Sequence, residues 1–123
     1  MAEPVFELRL SARLFTGGEK CFGPGVAALL EGTDRHGSLQ AAAGDMGMAY
    51  SKAWTTLRRC EQALGFPLLE RKTGGPKGGS SRLTDDARRL LEAYREMQVR
   101  LGEACRGLEA EFNEKVRRTG DGG

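Results

Sequence analysis

The chain has 123 residues, 39% hydrophobic and 29% charged, with a net charge of +2. That length suits one domain with an appended arm, and the balance excludes a disordered chain. No apolar run is long enough to span a bilayer, and MAEPVFELRL lacks the basic start and apolar core of a secretion signal, so a cytoplasmic protein without membrane contact is expected.

Val5, Leu8, Leu10, Leu14 and Phe15, interleaved with Glu7, Arg9 and Arg13, predict a strand over roughly residues 6–15, although the alternation is imperfect. Gly17, Gly18, Gly23, Pro24 and Gly25 then predict a loop. Val26, Leu29, Leu30 and Thr33 recur at helical spacing, and Gly37 supplies the stop after His36. Ser38 stands as N-cap of a second helix, Leu39 to Met46, with a thin stripe of Leu39, Ala42, Ala43 and Met46.

After a turn at Gly47 and Met48, Ala53, Leu57, Cys60 and Leu64 give the segment from Ala49 to Leu64 a single buried face. Ser51, Lys52, Thr55, Arg58, Arg59 and Gln62 fall on the opposite side, and Trp54 on its flank. Leu68 to Lys72 and Ser80 to Leu83 read as a hairpin joined by TGGPKGG, in which Lys77 is followed by glycine rather than the Ser or Thr of a phosphate-binding loop. Thr84 caps a long helix in which Ala87, Leu90, Tyr94, Met97, Leu101, Ala104 and Leu108 form a heptad seam. A seam of that length predicts a homodimer interface through Leu90, Tyr94, Met97, Leu101, Ala104 and Leu108, with disorder expected over residues 113–123. The fold class is mainly α with a small β hairpin: a winged helix-turn-helix over residues 1–112 with a long C-terminal dimerisation helix, residues 84–112.

Charge is unevenly spread. Residues 1–48 carry −2, residues 49–83 carry +5 and residues 84–123 carry −1. A basic block between acidic flanks is what a polyanion-binding surface requires, though a solvated face has the same composition. Cys21, Cys60 and Cys105 are odd in number and far apart, so they read as reduced thiols rather than a disulfide framework or zinc knuckle. With one histidine, His36, neither a metal site, a cofactor nor a catalytic site is expected, and the chain is read as a non-enzyme.

Double-stranded DNA is the partner these patterns suggest. The second helix of such a motif can enter the major groove. Lys52 and Thr55 are then the candidates for base contacts, with Tyr50 and Ser51 beside them and Arg58 and Arg59 nearer phosphate. Arg71, Lys72, Lys77 and Arg82 of the hairpin are candidates for holding the phosphate strand.

The tracts SLQAAAGDMGMAYSKAWTTL, RKTGGPKGGSSRLT and DARRLLEAY resemble the N-terminal DNA-binding domain of ModE-type molybdate-responsive transcriptional regulators, within the LysR-type winged-helix superfamily that LRRCEQALGFPLLER also resembles. The resemblance implies a dimer on palindromic operators of molybdenum-related genes. Ala49 stands where the family usually has a serine cap. The family's molybdate-binding domains have no counterpart after Phe112 in this sequence, so the expectation is either a separate molybdate-binding partner as the source of an oxyanion signal or no molybdate sensing at all. The rival reading is a winged-helix protein-interaction module that has lost DNA binding, which the missing cap and low net charge accommodate.

Overall fold

The computed structural model describes residues 3–72 and 80–117, the Lys72 side chain excepted. Two compact units divide the chain: residues 11–94, and the N-terminal arm together with the chain from Arg95 onward. The sequence reading put a single domain over residues 1–112.

Within residues 11–94, β1 (Leu14–Thr16) and β2 (Glu19–Phe22) form an antiparallel hairpin. Gly17 and Gly18 turn it with φ of 58° and 82°, a two-residue connection that needs left-handed backbone at both positions. In sequence these glycines read as loop breakers, whereas the structure uses Gly17 and Gly18 as the turn of a hairpin. Helix α1 (Pro24–His36) likewise starts inside the expected loop. Proline occupies its first turn, where the missing N–H costs nothing.

Helix α2 (Leu39–Asp45) is capped by the Ser38 hydroxyl, which accepts from the Ala41 amide at 3.1 Å. Helix α3 (Tyr50–Leu64) follows and ends at Gly65. The wing is β3 (Leu69–Lys72) paired antiparallel with β4 (Ser80–Leu83), in a register that sets Arg71 opposite Ser81. Helix α4 (Asp85–Val116) begins at Thr84, whose hydroxyl accepts from Ala87 N at 3.1 Å and donates to Pro67 O at 2.9 Å. One side chain therefore caps the helix and fastens it to the chain entering the wing.

Phe22, Leu29, Leu30, Ala53, Leu57, Cys60, Leu68, Ala87 and Tyr94 are buried together in this unit. Thr33 joins them, its hydroxyl satisfied by Leu29 O at 2.8 Å. Tyr94 corrects the dimer seam. Its ring packs edge-on against Phe22 at 4.9 Å, its hydroxyl donates to Ala12 O at 2.8 Å, and it is 1% exposed. A residue spent inside its own unit has no surface left for a second copy.

In the other unit the arm crosses α4 without forming the expected strand. Its backbone polar groups are met by helix side chains: Phe6 N donates to Asn113 Oδ1 and Leu8 N to Glu109 Oε2, each at 2.8 Å, and Leu8 O accepts from the Cys105 thiol at 3.2 Å. Phe6 stacks edge-on with Phe112 at 5.4 Å. Asn113 also returns a bond to Phe6 O at 2.9 Å, so residues 113–116, expected to be disordered, continue the helix. Residues 118–123 lie outside the described residues.

Helices α1 and α2 approach closely at Gly32. A Cβ on Gly32 would sit 2.7 Å from Ala42 Cβ and 3.1 Å from Ala42 Cα, whereas one on exposed Gly44 would meet nothing within 4 Å. Gly32→Ala is expected to lower the unfolding free energy by about 1 to 3 kcal/mol through overpacking. Gly44→Ala is expected to raise it by about 0.5 kcal/mol through helix propensity, both measured by urea denaturation.

Candidate nucleic-acid interface

Helix α3 turns its apolar face inward so completely that its outer face is fixed. Ala53, Leu57 and Cys60 are 0%, 1% and 2% exposed, while Tyr50, Ser51, Lys52, Thr55, Arg58 and Arg59 are exposed, as is Gln62. The six predicted α3 residues are thus presented along one helix. Gln62, on this face by periodicity and outside the predicted site, is exposed too and adds an amide donor and acceptor to the surface.

The one carboxylate of α3 is kept off that face. Glu61 Oε2 accepts from Leu68 N at 2.7 Å, tying the helix to the start of the wing. At the other end of the helix, Ala49 occupies the N-cap position with no side-chain cap bond. The hydroxyls of Thr55 and Thr56 donate back to Ser51 O and Lys52 O at 2.9 and 2.8 Å. These i−4 bonds fix the Thr55 hydroxyl against the helix backbone.

Among the described residues, three ties join the wing to α1 and α3. Besides Glu61, Ser81 N donates to Gly37 O at 2.8 Å, joining β4 to the end of α1. The third is Arg71, whose guanidinium carbon lies 4.3 Å from the centroid of the Trp54 ring and which donates to Tyr50 Oη at 3.2 Å. Arg58, one turn beyond Trp54 on α3, lies 5.4 Å from the same ring. Half-buried Trp54 therefore joins helix and wing, a role that flank position alone did not reveal. Arg82 forms an ion pair with Glu70 at 2.8 Å across the hairpin, so part of its charge is offset. Lys77 and the side chain of Lys72, the remaining wing candidates, lie outside the described residues.

Behind this surface, Cys60 of α3 and Cys21 of β2 are both buried and line one pocket. Burial pushes the Cys60 thiol up to about 12, with Cys21 and Glu61 adding to the rise, and burial raises Cys21 as well. Both are free thiols, as is Cys105. Among the described residues no group of three or more His, Cys, Asp and Glu is placed to hold a metal, and no helix is long and apolar enough to cross a membrane. His36 pairs with Asp45, linking the ends of α1 and α2.

A helix-turn-helix from α2 and α3, flanked by a two-stranded wing, defines a winged helix-turn-helix domain. The chain belongs to the bacterial regulatory helix-turn-helix proteins of the lysR family, whose match spans residues 27–88. It is 34% identical over 86 residues to the molybdenum transport protein ModE of Azotobacter vinelandii, covering 70% of this chain and 32% of that protein. It is 33% identical over 93 residues to the DNA-binding transcriptional dual regulator ModE of Escherichia coli K12, covering 76% and 33%. The molybdenum-pterin-binding protein MopA of Rhodobacter capsulatus is 32% identical over 81 residues, covering 66% and 31%. The chain thus spans about a third of the length of these relatives. Among solved structures, ArgP from Mycobacterium tuberculosis shares the fold, with a TM-score of 0.53 at 22% identity over 70% of this chain and 30% of that one.

The buried thiol of Cys60 has a consequence for stability. Its folded pKa lies above its unfolded value, so its contribution is complete below about pH 9 and is lost as pH rises toward about 12. Wild type is expected to lose up to about 1 kcal/mol more than Cys60→Ala between pH 8 and pH 10, read from urea unfolding at the two pH values.

Proposed function

We propose that the chain is a DNA-binding transcriptional regulator in molybdenum-related gene control, acting as a homodimer on a palindromic operator. The observation that carries this reading is the outer face of α3. It presents hydroxyls, an amine and two guanidinium groups, while Glu61 is drawn away to Leu68 N. A helix so equipped suits the major groove, with Ser51, Lys52 and Thr55 toward base edges and Arg58 and Arg59 toward phosphate.

Thr55 has a specific part in this reading. With its hydroxyl donating to Ser51 O, its methyl is the group left to meet a base, and the thymine methyl is its natural counterpart. On the wing, Lys72, Lys77 and Arg82 supply charge along the backbone. Molybdenum enters through relatives such as the molybdenum transport protein ModE of Azotobacter vinelandii and the molybdenum-pterin-binding protein MopA of Rhodobacter capsulatus, and a separate molybdate-binding partner is part of the proposal as the source of any signal.

Dimerisation is supported by the apolar surface of distal α4. Leu108 is 53% exposed and Phe112 50%, on an open groove of about 460 Å³ that Phe6 and Leu8 also line. Met97 and Leu101 are half-buried and Ala104 exposed along the same helix, and Leu90 is half-buried nearer its start. Two copies joined there would address half-sites about one helical turn, or a multiple of it, apart.

Selection of bound duplexes from random oligonucleotides tests the reading, and an enriched palindrome with that spacing is the expected result. Enrichment of a single unrepeated site would remove the dimer, and no enrichment would remove sequence-specific binding. On the selected duplex, Thr55→Val is expected to keep affinity within about threefold, while Thr55→Ser loses about tenfold, measured by fluorescence anisotropy. The reverse order would assign recognition to the hydroxyl. Leu108→Glu is expected to shift the protein toward monomer in sedimentation equilibrium.

A further inference from the structure

We infer that Arg71 is a positioning residue that sets the wing against α3, rather than a phosphate contact. The inference rests on the DNA-binding reading and deepens it by giving the two DNA-facing elements a defined mechanical link.

The wing strands are fixed at their base by backbone bonds. Leu68 N is held by Glu61 of α3, and Thr84 N donates to Leu68 O at 3.0 Å. Further out, the cross-strand pair Arg71 and Ser81 is fastened on both sides. Ser81 N reaches Gly37 O at the end of α1, and the Arg71 side chain reaches α3. One register step beyond lies the pair Lys72 and Ser80, at the end of the hairpin ladder. Arg71 is therefore the outermost side-chain tie between the wing and α3 that the described residues contain.

Its chemistry suits that duty. A guanidinium is planar, remains charged and can stack on an indole face while still donating hydrogen bonds at its edge. Arg71 does both, lying 4.3 Å from the Trp54 centroid and donating to Tyr50 Oη at 3.2 Å. Tyr50 opens α3 and Trp54 stands one turn later, so the contact spans the first turn, where reading side chains begin. The Tyr50 hydroxyl accepts from Arg71 and keeps its own proton for an outside acceptor such as a phosphate oxygen. Arg71 thus acts through Tyr50 and through the angle of the wing.

Lysine cannot replace it. An ammonium keeps the charge but loses both the planar stack and the fork of donors. A phosphate contact would tolerate that exchange much better than a stacked tie does.

Trp54 is the sole tryptophan, so its emission reports the tie without any ligand. The test compares Arg71→Ala and Arg71→Lys with wild type, first by Trp54 emission in the free protein, then by affinity for the selected duplex across a salt series. Circular dichroism confirms that each variant is folded. Both variants are expected to shift Trp54 emission to longer wavelength as the ring gains water. Both should lose about tenfold in duplex affinity with an unchanged salt slope. Unchanged emission would overturn the inference. So would a salt slope that falls by about one in Arg71→Ala with affinity restored in Arg71→Lys, the behaviour of a phosphate contact. If wild type binds no duplex, the DNA-binding reading fails separately, and emission alone decides whether Arg71 holds the wing to α3.

Discussion

Ala53, Leu57 and Cys60 leave α3 a single rotational setting. With those three positions at 2% exposure or less, turning the helix would bring polar side chains into the core. The opposite face must then carry Ser51, Lys52, Thr55, Arg58, Arg59 and Gln62 outward. Every proposed reading contact follows from that packing. The Glu61 bond to Leu68 N ties the same helix to the start of the wing.

The wing depends on the same helix for a different reason. A two-stranded hairpin has too little apolar surface to hold its own position. Here its base is fixed by Glu61 and Thr84, and its outer part by the Ser81 bond to Gly37 O and the cation and aromatic contact of Arg71 with Trp54. Exposed ion pairs such as Arg82 with Glu70 contribute at most about 1 kcal/mol, so orientation is left mainly to the backbone ties and the stacked arginine.

Much of this was legible in the sequence where periodicity and caps agree. The spacing of Ala53, Leu57 and Cys60 placed α3, Ser38 placed the start of α2, and Thr84 the start of α4. The misreadings share a cause. Gly17, Gly18 and Pro24 have two meanings, breaker or structural specialist, and only tertiary pairing of β1 with β2 decides between them. Residues 6–13 have strand-like composition, yet their hydrogen-bonding partners are Asn113, Glu109 and Tyr94, about a hundred residues away in sequence and silent in local pattern. Tyr94 fits a heptad seam by spacing, while the Phe22 ring and Ala12 carbonyl that claim it are invisible to spacing. Trp54 was correctly placed on the flank of α3, but its contact with Arg71 depends on the wing folding back.

Family membership and the α3 surface point in one direction, and electrostatics offers the most direct test. Duplex affinity measured at 50 and 200 mM salt should fall by about a hundredfold or more if several side chains of α3 and the wing displace counterions from phosphate. An affinity that stays level across that range would contradict DNA binding by this surface and favour a protein-interaction role.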